Sequence, residues 1–182
     1  MESVIIPLRE VIGSPVEPNV LNKIQEFSCK NSDVETFLKT KAYDFEKRHK
    51  SRTYLIIDLD SLDIVAYYTV SNKSLEFSDG VSTTVIKKID GFSRSVKSIA
   101  VILIGQLGKN LKYCKKYRGA ELLNYALNTV YEIRDRLGGR ICLVETENSE
   151  ENKKVIDFYI KNNFKKLQLD TSDNYVQMFL SL

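Results

Sequence analysis

Apolar residues change their spacing along this chain, and those changes divide it into elements. Residues 3–11 mix β-branched positions with a polar rim and predict a first strand. Residues 18–27 predict a short helix carrying Val20, Ile24 and Phe27 on one face. A second helix follows, capped by Ser32 or Asp33, with Val34, Phe37, Leu38 and Phe45 as its apolar stripe. Residues 53–58 and 64–71 predict two strands joined by the turn Asp60-Ser61-Leu62-Asp63, a hairpin with a longer loop. The polar stretch 72–95 reads as a loop with an irregular helix. Residues 95–107 give the strongest strand signal, because 99–104 are apolar without alternation, the mark of a central strand buried from both sides. Residues 119–137 repeat Leu122, Leu123, Ala126, Leu127, Val130, Ile133 and Leu137 at helical spacing and stop at Gly138-Gly139. A strand over 140–147, a helix from Ser149 to Asn162 and a hairpin of 164–169 with 175–182 close the chain. Strand, helix and strand around a buried first strand imply a right-handed parallel crossover, and the hairpins imply antiparallel neighbours. The expected fold is a mixed α/β sheet in one domain spanning residues 1–182.

Composition narrows the class without naming a function. A chain of 182 residues buries about 70% of its unfolded surface on folding, enough for one good core. Its 27 basic and 24 acidic residues leave a net charge of +3, too little to argue for nucleic acid unless the charges cluster. Cys29, Cys114 and Cys142 are spaced for neither a zinc site nor a disulfide framework, so no metal is expected and free thiols suit a reducing cytoplasm. Residues 1–8 lack a basic segment followed by a long apolar run, and 99–104 is far too short to span a membrane. The expectation is a soluble cytoplasmic protein with no membrane partner.

Two places invite chemistry. At the junction 103–123 a buried strand ends in Ile104-Gly105-Gln106-Leu107, and a basic loop leads into a helix opening at Gly119. A helix start with glycine leaves unpaired N–H groups open to an anion, and Lys115, Lys116 and Arg118 add charge; a plain strand-to-helix connection is the competing reading. The second place is Phe158-Tyr159-Ile160-Lys161-Asn162-Asn163-Phe164, where a helix with adjacent aromatics stops at an Asn-Asn turn. By spacing, Tyr159 is a core tyrosine four residues after Val155; facing a cleft, its phenol can protonate a departing thiolate.

These features, in this order, resemble the GNAT superfamily of N-acetyltransferases over most of the chain, most strongly over 98–164. The resemblance implies a largely antiparallel central sheet with a splayed parallel strand pair and helices on both faces. It implies acetyl-CoA as cosubstrate, its pantetheine on the strand around Leu103, Gly105, Gln106 and Leu107, and its pyrophosphate near Arg118, Gly119 and Ala120. "DFYIKNNF" looks like the family ending that carries the general acid, here Tyr159, and Asn148 or Asn152 is similar to an asparagine contacting the cofactor arm. The phosphate loop departs from the family pattern: Cys114 stands for a Gln/Arg and Tyr117 for the first glycine. A tyrosine there is expected to crowd the backbone, and a degenerate GNAT fold that binds without acetyl transfer is the alternative reading.

The N-terminal half, "FSCKNSDVETFL…KRHKSRTYLIID…IVAYYTVS", resembles the subgroup containing aminoacyl-tRNA-acetylating toxins, with Ala66 in place of a glycine. That likeness implies an amine acceptor on charged tRNA and admits an antitoxin protein and a homodimer as partners. The basic run Lys39, Lys41, Lys47, Arg48, His49, Lys50 and Arg52 offers a phosphate-binding surface, with Lys47, Arg48 and Arg52 the acceptor-binding candidates, although Asp44 and Glu46 interrupt it as on an ordinary solvated helix face. His49 reads as surface. Glu145 or Glu147, on a strand expected to line the cleft, is the candidate base, with Glu145 preferred. Asp58, Asp60 and Asp63 are better explained by the hairpin turn than by a metal.

Overall fold

A computed structural model describes residues 2–170 and 172–182; Met1, counted with the first segment above, and Thr171 lie outside the described residues. The chain divides into two compact units, residues 1–71 with 104–128 and residues 72–103 with 129–182. Seven strands form one mixed sheet: β1 (Ser3–Pro7), β2 (Arg52–Asp58), β3 (Ile64–Glu76), β4 (Ser98–Lys109), β5 (Ile141–Glu147), β6 (Lys165–Asp170) and β7 (Tyr175–Ser181). Hydrogen bonding orders them β1-β2-β3-β4-β5-β7-β6, mostly antiparallel with one parallel pair. The seven helices are α1 (Leu8–Val11), α2 (Glu17–Glu26), α3 (Ser32–Thr40), α4 (Ala42–Lys47), α5 (Thr83–Asp90), α6 (Gly119–Leu137) and α7 (Lys153–Lys161).

In the first unit β1 and β2 pair from Ser3 against Asp58 to Pro7 against Tyr54. The hairpin of β2 with β3 runs from Arg52 against Val70, with a register shift at Ile56/Ile57 before the turn. The expected first strand is shorter than its pattern: it stops at Pro7, and Leu8 and Val11 are instead the buried face of α1. The single helix expected after Ser32 is two helices, broken at Lys41, and its cap is neither Ser32 nor Asp33. Asn31 caps it, Oδ1 accepting from the N–H groups of Asp33 and Val34 at 2.9 and 3.2 Å. Leu8, Val11, Ile24, Phe27, Leu38, Ala42, Leu55, Ile57, Ile64 and Tyr67 form the core, with Phe27 edge-on to Tyr67. Tyr67 is fully buried, yet its hydroxyl is satisfied by donating to the Val34 carbonyl.

In the second unit the stretch read as a loop with an irregular helix is regular over residues 72–76 and 83–90. β3 continues to Glu76, and α5 is capped at its start by Ser82 Oγ and closed by Gly91 at φ 90°. Only Ile86 and Ile89 of α5 are buried, too few to print a stripe on the sequence. β5 is buried on both faces, pairing with β7 from Ile141 against Ser181 to Glu147 against Tyr175. Leu75, Ile89, Val101, Ile141, Leu143 and Phe179 make this unit's core. The strand expected to be buried from both sides is covered only in part: Ala100 and Gly105 are exposed while Val101, Ile102, Ile104 and Gly108 are buried.

Candidate functional site

The first unit holds the strand end, the loop and the helix start. Near the end of β4 Gly105 is exposed and Gln106 and Leu107 are half-buried. Asn110 ends the strand: its N–H donates to Val65 O at 2.9 Å, its Nδ2 to Ile64 O at 2.8 Å, and its Oδ1 accepts from the Lys112 N–H at 3.0 Å. A single turn of 3₁₀ helix, Leu111–Tyr113, then starts the loop. Asp63 ties that turn to the β2–β3 hairpin. It receives Lys112 Nζ and the Tyr113 hydroxyl on Oδ2 and Lys23 Nζ on Oδ1, at 2.5, 2.7 and 2.8 Å. Those donors, Lys112 first, hold its carboxyl well below the usual carboxylate range. Asp63 is thus engaged by Lys23, Lys112 and Tyr113, partners from outside the hairpin turn, while Asp58 accepts from Ser61 Oγ at 2.6 Å within it.

Tyr117 does not crowd the loop. Its ring turns inward and is only 3% exposed, so the side chain that replaces a glycine leaves the loop surface clear. No residue from 110 to 120 needs a left-handed φ, which removes the second cost expected of a non-glycine there. Burial first, and then Tyr125, Glu121 and Tyr68, pushes the Tyr117 phenol well above its ordinary value. Its hydroxyl makes no hydrogen bond of good geometry, although Tyr125 lies close enough to perturb it. Arg118 and Ala120 are exposed and Gly119 half-buried. The Leu122 N–H is the first in α6 to bond back, to Arg118 O at 3.3 Å, and among the described residues the N–H groups of 119–121 make no backbone hydrogen bond. Glu121 in this first turn is the one feature that disfavours an anion.

The basic run of this unit is only partly free. Lys47 lies over the Tyr43 ring at 5.4 Å and, with Arg48 and His49, is exposed. Arg52 is committed: Nη1 reaches Glu46 Oε1 at 2.7 Å, and Glu46, 2% exposed, uses Oε2 to accept from the Thr53 N–H at 2.8 Å. A buried carboxylate must be paired, and Arg52 is the group that pairs it.

The second unit holds the other candidates. Tyr159 is 7% exposed, tilted against Phe158 and edge-on to Phe164. Desolvation, and then Cys142, holds its phenol protonated far above the ordinary tyrosine range, while burial pushes the Cys142 thiol up to about 12. Glu145 receives Lys73 Nζ on both oxygens at 2.7 Å and Gln177 Nε2 on Oε1 at 2.7 Å. Gln168 continues the chain, donating to Gln177 Oε1 at 2.6 Å and to Glu76 O at 2.7 Å. Leu103 packs beside the core, and Asn152 occupies the cap position of α7 without capping it; its Nδ2 donates to Ser149 Oγ at 3.0 Å. Ser149, expected as the cap, lies one turn too early. Lys73 and Gln177 were invisible to spacing, since each partner of Glu145 sits on a different strand.

The strand order, with its crossover through α6 and its closing hairpin, is that of the GNAT acetyltransferase fold. No protein-family model matches the chain. Among curated proteins it is similar to the probable toxin TacT of Sinorhizobium fredii (strain NBRC 101917 / NGR234), 23% identical over 162 residues, 86% of this chain and 84% of that one. Among solved structures it is similar to AtaT complexed with acetyl-methionyl-tRNAfMet, with a TM-score of 0.71 at 20% identity, covering 99% of this chain and 95% of that one. A tyrosine-to-phenylalanine mutant of AtaT bound to the C-terminus of the antitoxin AtaR and acetyl-CoA gives a TM-score of 0.67 at 18% identity, over 100% and 94% of the two chains. The likeness read from the sequence is therefore matched by the fold of these toxins.

Proposed function

We propose that the chain is an N-acetyltransferase that moves an acetyl group from acetyl-CoA to a primary amine, with the α-amino group of an aminoacyl-tRNA as acceptor. The observation that carries this is the conjunction of the shared fold with a phosphate loop kept open by the inward turn of Tyr117. We take residues 1–182 as one catalytic domain. Backbone groups at Leu103, Gly105, Gln106 and Leu107 would take the pantetheine. The N–H groups at Gly119 and Ala120, with Arg118, would take the pyrophosphate, and Asn152 the cofactor arm.

The amine nitrogen attacks the thioester carbonyl, the C–S bond breaks as Tyr159 gives its phenolic proton to the departing thiolate, and the proton shed by the new amide nitrogen passes through solvent to restore the Tyr159 phenol. The desolvation that keeps Tyr159 protonated is what a general acid needs. Glu145, the preferred base, has Lys73 on both oxygens, so abstraction there requires that pair to open. We therefore assign Glu145 to holding Lys73 and Gln177 in place, and the acceptor enters as the neutral amine. Lys47 and Arg48 would meet the tRNA phosphates, with Arg52 bracing their segment through Glu46. By the same likeness an antitoxin protein is the expected regulator, a homodimer the expected assembly and the cytoplasm the place of action; no helix among the described residues is long and apolar enough to cross a membrane.

The test is transfer of labelled acetyl from acetyl-CoA to bulk charged tRNA, with uncharged tRNA as control. Label on the α-amino group of charged tRNA alone supports the proposal. Full acetyl-CoA binding with no transfer to charged tRNA removes this acceptor.

A further inference from the structure

We infer that Lys109 is a positioning residue for the cofactor's pyrophosphate, acting through the backbone of the loop 114–118. This rests on the acetyl-CoA reading above. Lys109 is the last residue of β4, and its side chain lies back along the loop. Its Nζ donates to the Tyr117 carbonyl at 2.9 Å and, at longer range, to the Cys114 carbonyl at 3.4 Å, so one ammonium spans both ends of the loop. No carboxylate of the described residues pairs with it, which leaves its charge to those two carbonyls.

The consequence follows from peptide geometry. Across a trans peptide the carbonyl of one residue and the N–H of the next point to opposite sides, and there is no cis bond among the described residues. Turning the Cys114 and Tyr117 carbonyls toward Lys109 turns the N–H groups of Lys115 and Arg118 away from it. Among the described residues neither N–H has a backbone acceptor, whereas those of Cys114, Lys116 and Tyr117 do. The loop thus presents two free donors on the side opposite Lys109, beside the open first turn of α6. A glycine-rich loop reaches such an arrangement by its freedom at positive φ; this one has no glycine before Gly119 and no positive φ. Tyr117 anchors the loop by its ring and Lys109 by two carbonyls, so the donors are set before a ligand arrives.

Two readouts test this with Lys109→Met, which keeps most of the apolar stem, and Lys109→Arg, which restores the donor. In the free protein, hydrogen exchange of the segment 110–119 should quicken in Lys109→Met and return toward wild type in Lys109→Arg. Binding should separate two probes: acetyl-CoA weakens on the order of 10-fold in Lys109→Met, the scale of a charge-assisted hydrogen bond, while acetyl-pantetheine, which lacks the pyrophosphate, binds as to wild type. Equal weakening of both probes, unchanged acetyl-CoA affinity, or unchanged exchange with weakened acetyl-CoA overturns the inference, the last because it makes Lys109 a direct phosphate ligand. If wild type binds neither probe, the acetyl-CoA reading fails by itself, and the exchange result alone decides whether Lys109 holds the loop.

Discussion

Tyr159 and Tyr117 are both buried phenols held above their ordinary range by desolvation, and the account gives them opposite tasks. For Tyr159 the raised value means the acid form survives beyond neutral pH. The rate should therefore rise as the acceptor amine loses its proton, near the α-amino value of about 8, and show no falling limb below about pH 10, where an ordinary tyrosine ionises. A pH profile of kcat with charged tRNA checks this; a falling limb between pH 8 and 9 assigns the acid to another group. Tyr159→Phe should lower kcat by about 10²–10⁴ with acetyl-CoA affinity retained, and wild-type turnover in that variant removes the role. The thiols give a simpler check. Cys114 is exposed, whereas Cys142 is buried and raised to about 12, so a thiol reagent at pH 8 should label Cys114 in the folded protein and Cys142 only after unfolding, as peptide mapping would show. The proposal for Tyr159 starts from the sequence, because its surrounding segment carries the family likeness, and the structure adds the burial of its ring. Glu145 was legible as a carboxylate on β5, but not as a paired one, because Lys73 and Gln177 come from other strands.

Among the elements, close approach decides more than composition does. A Cβ at Gly108 would lie 2.6 Å from Tyr67 Cε1 and 2.7 Å from Val34 Cγ1, both rooted in the first unit's core. Gly108→Ala should therefore cost about 1–3 kcal/mol in urea unfolding, as overpacking does. The Asn31 cap of α3 is worth about 1 kcal/mol, and Asn31→Ala should lower the unfolding midpoint accordingly. The Asp63 cluster adds a pH signature. Its folded pKa is depressed below the unfolded value of about 3.9, so its stabilisation is present above that value and fades as pH falls toward the folded one. The gap in urea midpoint between wild type and Asp63→Asn should be widest at neutral pH and shrink below pH 4; a gap independent of pH would show that the ion pairs do not stabilise the fold. The long helix α6 was legible to the residue, because nineteen residues of regular spacing end at two glycines. Helix α5 and the break at Lys41 were not. The first buries only two side chains, and the second interrupts a stripe shared by two helices, with Leu38 buried and Val34 and Phe37 packed against the core.

At the scale of the molecule, the class of fold was legible from the order of elements: a buried strand, a long helix, a second strand and a closing hairpin admit few arrangements. The placement of β7 between β5 and β6 was not, since a hairpin pattern does not say which of its strands joins the sheet. The loop 114–119, proposed for the pyrophosphate, is where the sequence expectation and the structure differ most. Tyr117 reads as an obstruction when only its replacement of glycine is known, and as an anchor once its ring is seen to be buried. That reversal is what the whole account depends on, and calorimetric titration of the purified protein with acetyl-CoA, using free CoA as control, tests it most directly. The account predicts micromolar binding of acetyl-CoA. Absence of binding at millimolar acetyl-CoA would contradict it and leave a fold of this family that has lost its cosubstrate.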